Sequence, residues 1–162
     1  MGEIANSYSG GTPSVGNKLF YGGNIPFIRS GEINGDKTEL FITEDGLNSS
    51  SAKMVEAGDI LYALYGATSG EVSISRISGA INQAILAIKP LDEYNSQFIM
   101  QCLRNEKESI ISTYLQGGQG NLSGNIVKKV LIKIPKNKSE QEKIGNFFRN
   151  IDNLITLHQR EH

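Results

Sequence analysis

The hydrophobic residues of this chain change period once, near Pro90, and that change limits the fold more than any single motif. Before it, apolar residues fall in short runs closed by Gly, Asn, Asp or Ser, which is the pattern of strands and tight turns. Ile25-Pro26-Phe27-Ile28 lies between Gly22-Gly23-Asn24 and Ser30-Gly31, and Leu40-Phe41-Ile42-Thr43 ends at Asp45-Gly46. The segment from Asp59 to Tyr65 is apolar on both faces, as a strand inside a sheet must be. Gly66 to Gly70 turns the chain, Val72-Ser73-Ile74-Ser75 alternates, and Gln83 to Ile88 makes a second buried strand ended by Pro90. Beyond Pro90, Phe98, Ile99, Cys102 and Leu103 recur at helical spacing behind a cap at Asn95 or Ser96. Ile110, Ile111, Tyr114 and Leu115 continue it up to Gly117-Gly118, and a last strand reads from Val130 to Ile134. Ser139-Glu140-Gln141-Glu142 then has capping-box spacing. Ile144, Phe148, Ile151, Ile155 and His158 follow at alternating steps of four and three, a coiled-coil-like seam widened by Phe147 and Leu154. The expectation is an α+β fold: a sheet-rich domain over residues 1–138, then the start of a long coiled-coil-forming helix over 139–162.

Composition fits this reading. Eighteen glycines in 162 residues are roughly 11%, against a usual level of about 7%, and supply the turns. With 38% hydrophobic and 20% charged residues the chain can bury a core and is not compositionally disordered. The single Cys102 excludes an internal disulfide and a cysteine-cluster zinc site, and its apolar helical setting reads as core. No apolar run reaches the roughly 18 residues of a membrane span. The opening Met1-Gly2-Glu3-Ile4-Ala5-Asn6 is not a signal peptide, so the cytoplasm is the expected compartment.

Catalytic motifs are missing from the sequence. His158 and His162 are the only histidines and both fall in the last five residues, so the body can hold neither a histidine-based triad nor a histidine-rich metal site. Gly117-Gly118-Gln119-Gly120 follows a helix and lacks the Lys-Ser/Thr end of a phosphate loop. Asp45, Glu56, Asp59 and Glu71 have no spacing that would gather them as nuclease acids. A binding module is favoured over an enzyme. The net charge of −1 hides a polarised chain: residues 31–60 carry two basic and seven acidic groups, and residues 101–138 carry seven basic and two acidic ones. A basic surface beside a Gly-rich loop with amides at Gln116, Gln119 and Asn121 suits nucleic acid. Basic groups hold phosphates, and amide side chains read base edges.

The order of the turns is similar to one family. Gly11-Thr12-Pro13-Ser14 comes first, then Tyr21-Gly22-Gly23-Asn24-Ile25-Pro26-Phe27-Ile28, then Gly58-Asp59-Ile60-Leu61. Gly66-Ala67-Thr68-Ser69-Gly70, Ala80-Ile81-Asn82-Gln83-Ala84, Asn121-Leu122-Ser123 and Glu140-Gln141-Glu142-Lys143-Ile144 complete the series. Together, over about residues 2 to 160, they resemble the target recognition domain of the specificity subunit of type I restriction–modification enzymes. The resemblance implies a non-catalytic, sequence-specific reader of one half of a split double-stranded DNA target. It implies that long helices set the spacing between two such readers and dock methyltransferase (modification) subunits. Those subunits methylate adenine with S-adenosylmethionine, and a restriction subunit using ATP and Mg joins them. This chain itself would bind no cofactor and no membrane.

Carried onto the matched turns, the resemblance assigns DNA-facing roles to Thr12, Ser14, Lys18, Tyr21, Arg29, Ser30, Tyr65, Thr68, Gln83, Gln116, Gln119 and Asn121, and a partner seam to Ile144, Phe148, Ile151 and Ile155. Only one recognition domain and one helix are present, so the chain is expected to be an excised fragment or a half-subunit. It would then pair with a second recognition domain or a homodimer partner. Two further classes stand beside this reading. One is a protein-interaction adaptor acting through the C-terminal seam, and the other is a nuclease or methyltransferase in its own right.

Overall fold

The computed structural model describes residues 1–116 and 120–162. Two four-stranded sheets lie at its centre. The first has the order β1 (Ala5–Ser9), β8 (Ile85–Pro90), β5 (Ile60–Ala63), β6 (Val72–Ile74), with every pair antiparallel. The second has the order β3 (Leu40–Ile42), β2 (Tyr21–Ile28), β7 (Gly79–Ile81), β4 (Lys53–Val55), where β2 and β7 run parallel. The centre of the first sheet is buried on both sides, and this is why β5 and the first four residues of β8 are apolar. Leu61, Ala63, Ile85 and Ala87 meet Ile28, Val55 and Ile81 of the second sheet. Ile60, Tyr62, Leu86 and Ile88 face the helices instead, packing with Phe98, Ile99, Leu103 and Ile110. The costs inside this layer are two buried oxygens, the Tyr62 hydroxyl and Ser7 Oγ of β1, which have no hydrogen-bond partner among the described residues.

Among the described residues five α-helices complete the body: α1 (Glu44–Asn48), α2 (Ser96–Asn105), α3 (Lys107–Tyr114), α4 (Gly124–Lys128) and α5 (Lys138–Arg160). Asn95 caps α2 by accepting from Phe98 N, as the sequence suggests. Three expectations change. Asp45-Gly46 does not simply end a strand: Thr43 accepts from Gly46 N and opens α1 there. Residues 130–134 belong to no sheet. Their alternation is real, since Val130, Ile132 and Ile134 are half-buried on the helical core while Leu131 and Lys133 face out. No strand lies alongside to pair with them, so the segment is an extended strap. The capping box at Ser139 does not form either. Asn137 caps α5, accepting from Ser139 N at 2.8 Å, and the helix starts at Lys138. Beginning there brings Gln141 against the body, where it is 2% exposed.

Candidate nucleic-acid interface

The strand directions bring one set of loops to one end of the molecule. β1 ends there at Ser9, β5 at Ala63 and β7 at Ile81, while β8 and β6 start there at Ile85 and Val72. The chain leaving β1 crosses the end of β7, with Gly10 N donating to Asn82 O at 3.1 Å and Gly11 N to Ile81 O at 3.3 Å. A Cβ on Gly10 would lie 1.8 Å from Ile81 O, so only glycine permits this crossing. The next residue, Thr12, donates from its hydroxyl to Gln83 Oε1 at 2.7 Å, across 71 residues of sequence. Leu64 N donates to Ala84 O, and Leu122 N donates to Leu64 O. Tyr65 and Asn121 form an isolated bridge, and the Thr68 hydroxyl donates to Tyr65 O.

Thr12, Gln83, Tyr65, Thr68 and Asn121 therefore share one end, with Thr68 half-buried and the other four exposed. Arg29 and Ser30 join them from the second sheet, because β2 runs parallel to β7 and stops beside Ile81. Ser14 is exposed in the crossing loop, where its carbonyl accepts from Asn17 N. Gln116 is exposed just beyond α3, and Gln119 lies outside the described residues. Lys18 and Tyr21 sit at the opposite end of β2, but the Tyr21 hydroxyl reaches back to Pro13 O at 2.6 Å and ties the two regions.

The chemistry of this end is that of hydroxyls and amides held on backbone turns. Thr12 fixes the oxygen of Gln83, and among the described residues nothing else bonds Nε2, which is left to donate outward. Arg29 is at the right place, but its guanidinium is occupied. It pairs with Glu32 at 3.1 Å and with Glu39 at 2.5 Å, and these bonds hold it even further above the range in which arginine loses its proton. Burial by itself would raise the Glu32 carboxyl. Hydrogen bonds from the Arg29 side chain and from the backbone N–H groups of Glu39 and Arg29 outweigh it and hold the carboxyl low. Arg29 so placed pins the loop 30–39 through Nε and Nη2.

The basic segment is also divided. Lys107 pairs with Glu71 at 2.5 Å beside the Gly66–Thr68 turn. The lysines after α4 run to the far end: Lys128 O accepts from Gly2 N, and Lys138 Nζ donates to Asp92 O. The picture of a single basic surface beside the Gly-rich loop fails because α4 and the strap carry the chain from one end of the first sheet to the other. Cys102 is half-buried, and burial first, then Glu106, raises its thiol, which fits a core role. Among the described residues no group of three or more His, Cys, Asp or Glu side chains is placed to hold a metal ion, and no helix is long and apolar enough to cross a membrane.

The seam residues divide along α5. Ile144 packs on the helical core and Ile151 is half-buried. Phe148 is 45% and Ile155 51% exposed, and Phe147, Leu154 and Leu157 are more exposed still.

The family model for the type I restriction modification DNA specificity domain matches residues 1–162. The chain belongs to this family. It is 26% identical over 162 residues to the specificity subunit of a type I restriction enzyme of Escherichia coli, covering 95% of this chain and 40% of that relative. Its fold matches a chain from a structure of complex assembly and conformational transition of the type I R-M system, with a TM-score of 0.76 and 20% identity over 99% of this chain and 39% of that one. It also matches the HsdS subunit from Thermoanaerobacter tengcongensis, with a TM-score of 0.73 and 18% identity over 99% of this chain and 38% of that one. The chain thus spans about two fifths of the length of these relatives. A sheet-rich body followed by a long C-terminal helix is the α+β arrangement expected from the sequence, and the division into two sheets is added by the structure.

Proposed function

We propose that this specificity domain reads one half of a bipartite double-stranded DNA target. Residues 1–138 are the reading domain, and residues 139–162 are the first part of a spacer helix. The observation that carries the reading is the convergence of Thr12, Gln83, Tyr65, Thr68 and Asn121 at one end of the two sheets. Exposed amides and hydroxyls held by backbone turns match what base-edge readout requires. Ser14, Ser30 and Gln116 extend that surface, Lys18 and Tyr21 would contact the DNA from the other end of β2, Gln119 joins the reading from outside the described residues, and Arg29 supports the surface from behind its two carboxylates.

The chain has no catalytic role in this reading and binds no cofactor. Methyltransferase subunits carrying S-adenosylmethionine modify the target in the cytoplasm, and a restriction subunit using ATP and Mg joins them. A second reading domain, on the same subunit or a second copy, reads the other half. The exposed row of Phe148, Ile155, Phe147, Leu154 and Leu157 supports a further role for α5 in holding those partners. An adaptor acting through that row alone would leave the opposite end without a purpose.

Binding-site selection on the assembled enzyme tests the proposal. The expected result is an enriched half-site whose identity changes when Gln83 and Asn121 are replaced. Selection that returns no enriched sequence overturns it.

A further inference from the structure

Among the described residues Gln141 is the most buried amide side chain, at 2% exposure, and it lies in the first turn of the 23-residue α5. A buried amide is costly unless its groups are paired. Here each end has a partner: Asn95 N donates to Oε1 at 2.9 Å, and Nε2 donates to Pro135 O at 3.1 Å. One side chain thus joins α5, the N-cap of α2 and the strap that leads into α5. One turn further on, Gly145 is buried against the start of α2. A Cβ there would lie 2.9 Å from Phe98 N, 3.0 Å from Asn95 Oδ1 and 3.2 Å from Gln97 Cβ, so the two helices touch as closely as a glycine allows. Two turns beyond, Asp152 accepts from Gln101 Nε2 at 2.9 Å and from Arg104 at 2.7 Å. Past that point α2 has ended, and Leu154 and Leu157 are exposed.

We infer that Gln141 and Gly145 form a rigid joint that fixes the direction in which α5 leaves the body. They are positioning residues. Gln141 locks the angle by bonding two backbone groups that no apolar side chain could satisfy, and Gly145 sets the distance. Asp152 is a weaker third point, because its ion pair is solvent-exposed and such pairs contribute little. On the reading proposed above, the joint determines where a second half-site reader is held relative to the loop end. Specificity for spacing would then reside partly in two residues far from the DNA.

The test needs no DNA, so its failure is separate from failure of the proposed function. Spin labels on the full chain at Lys53→Cys and Arg160→Cys, in a Cys102→Ser background, report the distance between the second sheet and the end of α5. The parent should give one narrow distribution. Gln141→Met keeps the volume and removes both hydrogen bonds, and it should leave the distribution roughly doubled in width. Gly145→Ala should shift its centre while keeping it narrow. Glu142→Ala, on the exposed side of the same turn, should change neither. A parental distribution in both the Gln141 and Gly145 variants, whatever their melting temperatures, would make these residues merely stabilising and overturn the inference. If the methionine variant does not fold, the glycine variant alone decides.

Discussion

The middle and the loop end of the first sheet are built on opposite principles. In the middle, β5 and the first four residues of β8 bury their side chains on two separate cores, so the scaffold is fixed by close packing. At the loop end the same strands give way to Gly66-Ala67-Thr68, Asn82-Gln83 and the crossing at Gly10, which are held by individual hydrogen bonds and are half-buried or exposed. On the proposed reading, stability and recognition reside in different residues, and each can be changed without the other.

The largest effect should come from the scaffold. Leu61→Ala or Leu103→Ala, both at 0% exposure, should cost about 2–5 kcal/mol of folding stability. Chemical denaturation measures it, and DNA specificity of the protein that still folds should be unchanged. A loss near zero would mean that the two faces of the sheet are not the core. Asn121→Ala should do the reverse. Its bridge to Tyr65 uses the backbone, so the melting temperature should stay near the parent's while half-site affinity falls by about 1–3 kcal/mol, the worth of one amide–base contact. Equal losses in stability and affinity would erase the contrast between the two regions.

A smaller effect follows from Glu32. Its carboxyl is held below the ordinary value of 4.5 in the folded chain, so the stabilisation it gives is complete above that value. It is lost as pH falls further through the folded value. Amide protection in the loop 32–39, taken relative to the intrinsic exchange rate at each pH, should therefore fall below about pH 4.5, and Glu32→Gln should abolish that fall. The smallest change belongs to Tyr62, whose buried hydroxyl has no partner among the described residues and whose ionisation burial pushes up to about 12. Tyr62→Phe should be neutral or stabilising by about 1 kcal/mol, as read by thermal melting.

The scaffold was the more legible region, for a physical reason. A strand buried on both sides must be apolar at consecutive positions, so β5 and β8 stand out in the sequence. β1, Ala-Asn-Ser-Tyr-Ser, has no such signal and is recruited only because it can pair with β8. β7 is three residues long and owes its place to pairing on both sides. Turn residues located the loops, yet the sequence could not show that Thr12 meets Gln83 or that Arg29 pairs with Glu32 and Glu39. Those facts depend on strand direction. The seam of α5 was visible as a period. What the period could not show is that its first turns belong to the domain through Gln141 and Gly145, while only the later turns stay open.

The central claim is that the loop end reads sequence. Mapping methylated adenines in the source genome tests it directly, using the parent gene, its deletion, and Gln83→Ala combined with Asn121→Ala. The account predicts a bipartite methylated motif that disappears on deletion, and in which the double variant relaxes one half while the other half and the spacing remain. An identical motif in the parent and the double variant would contradict it.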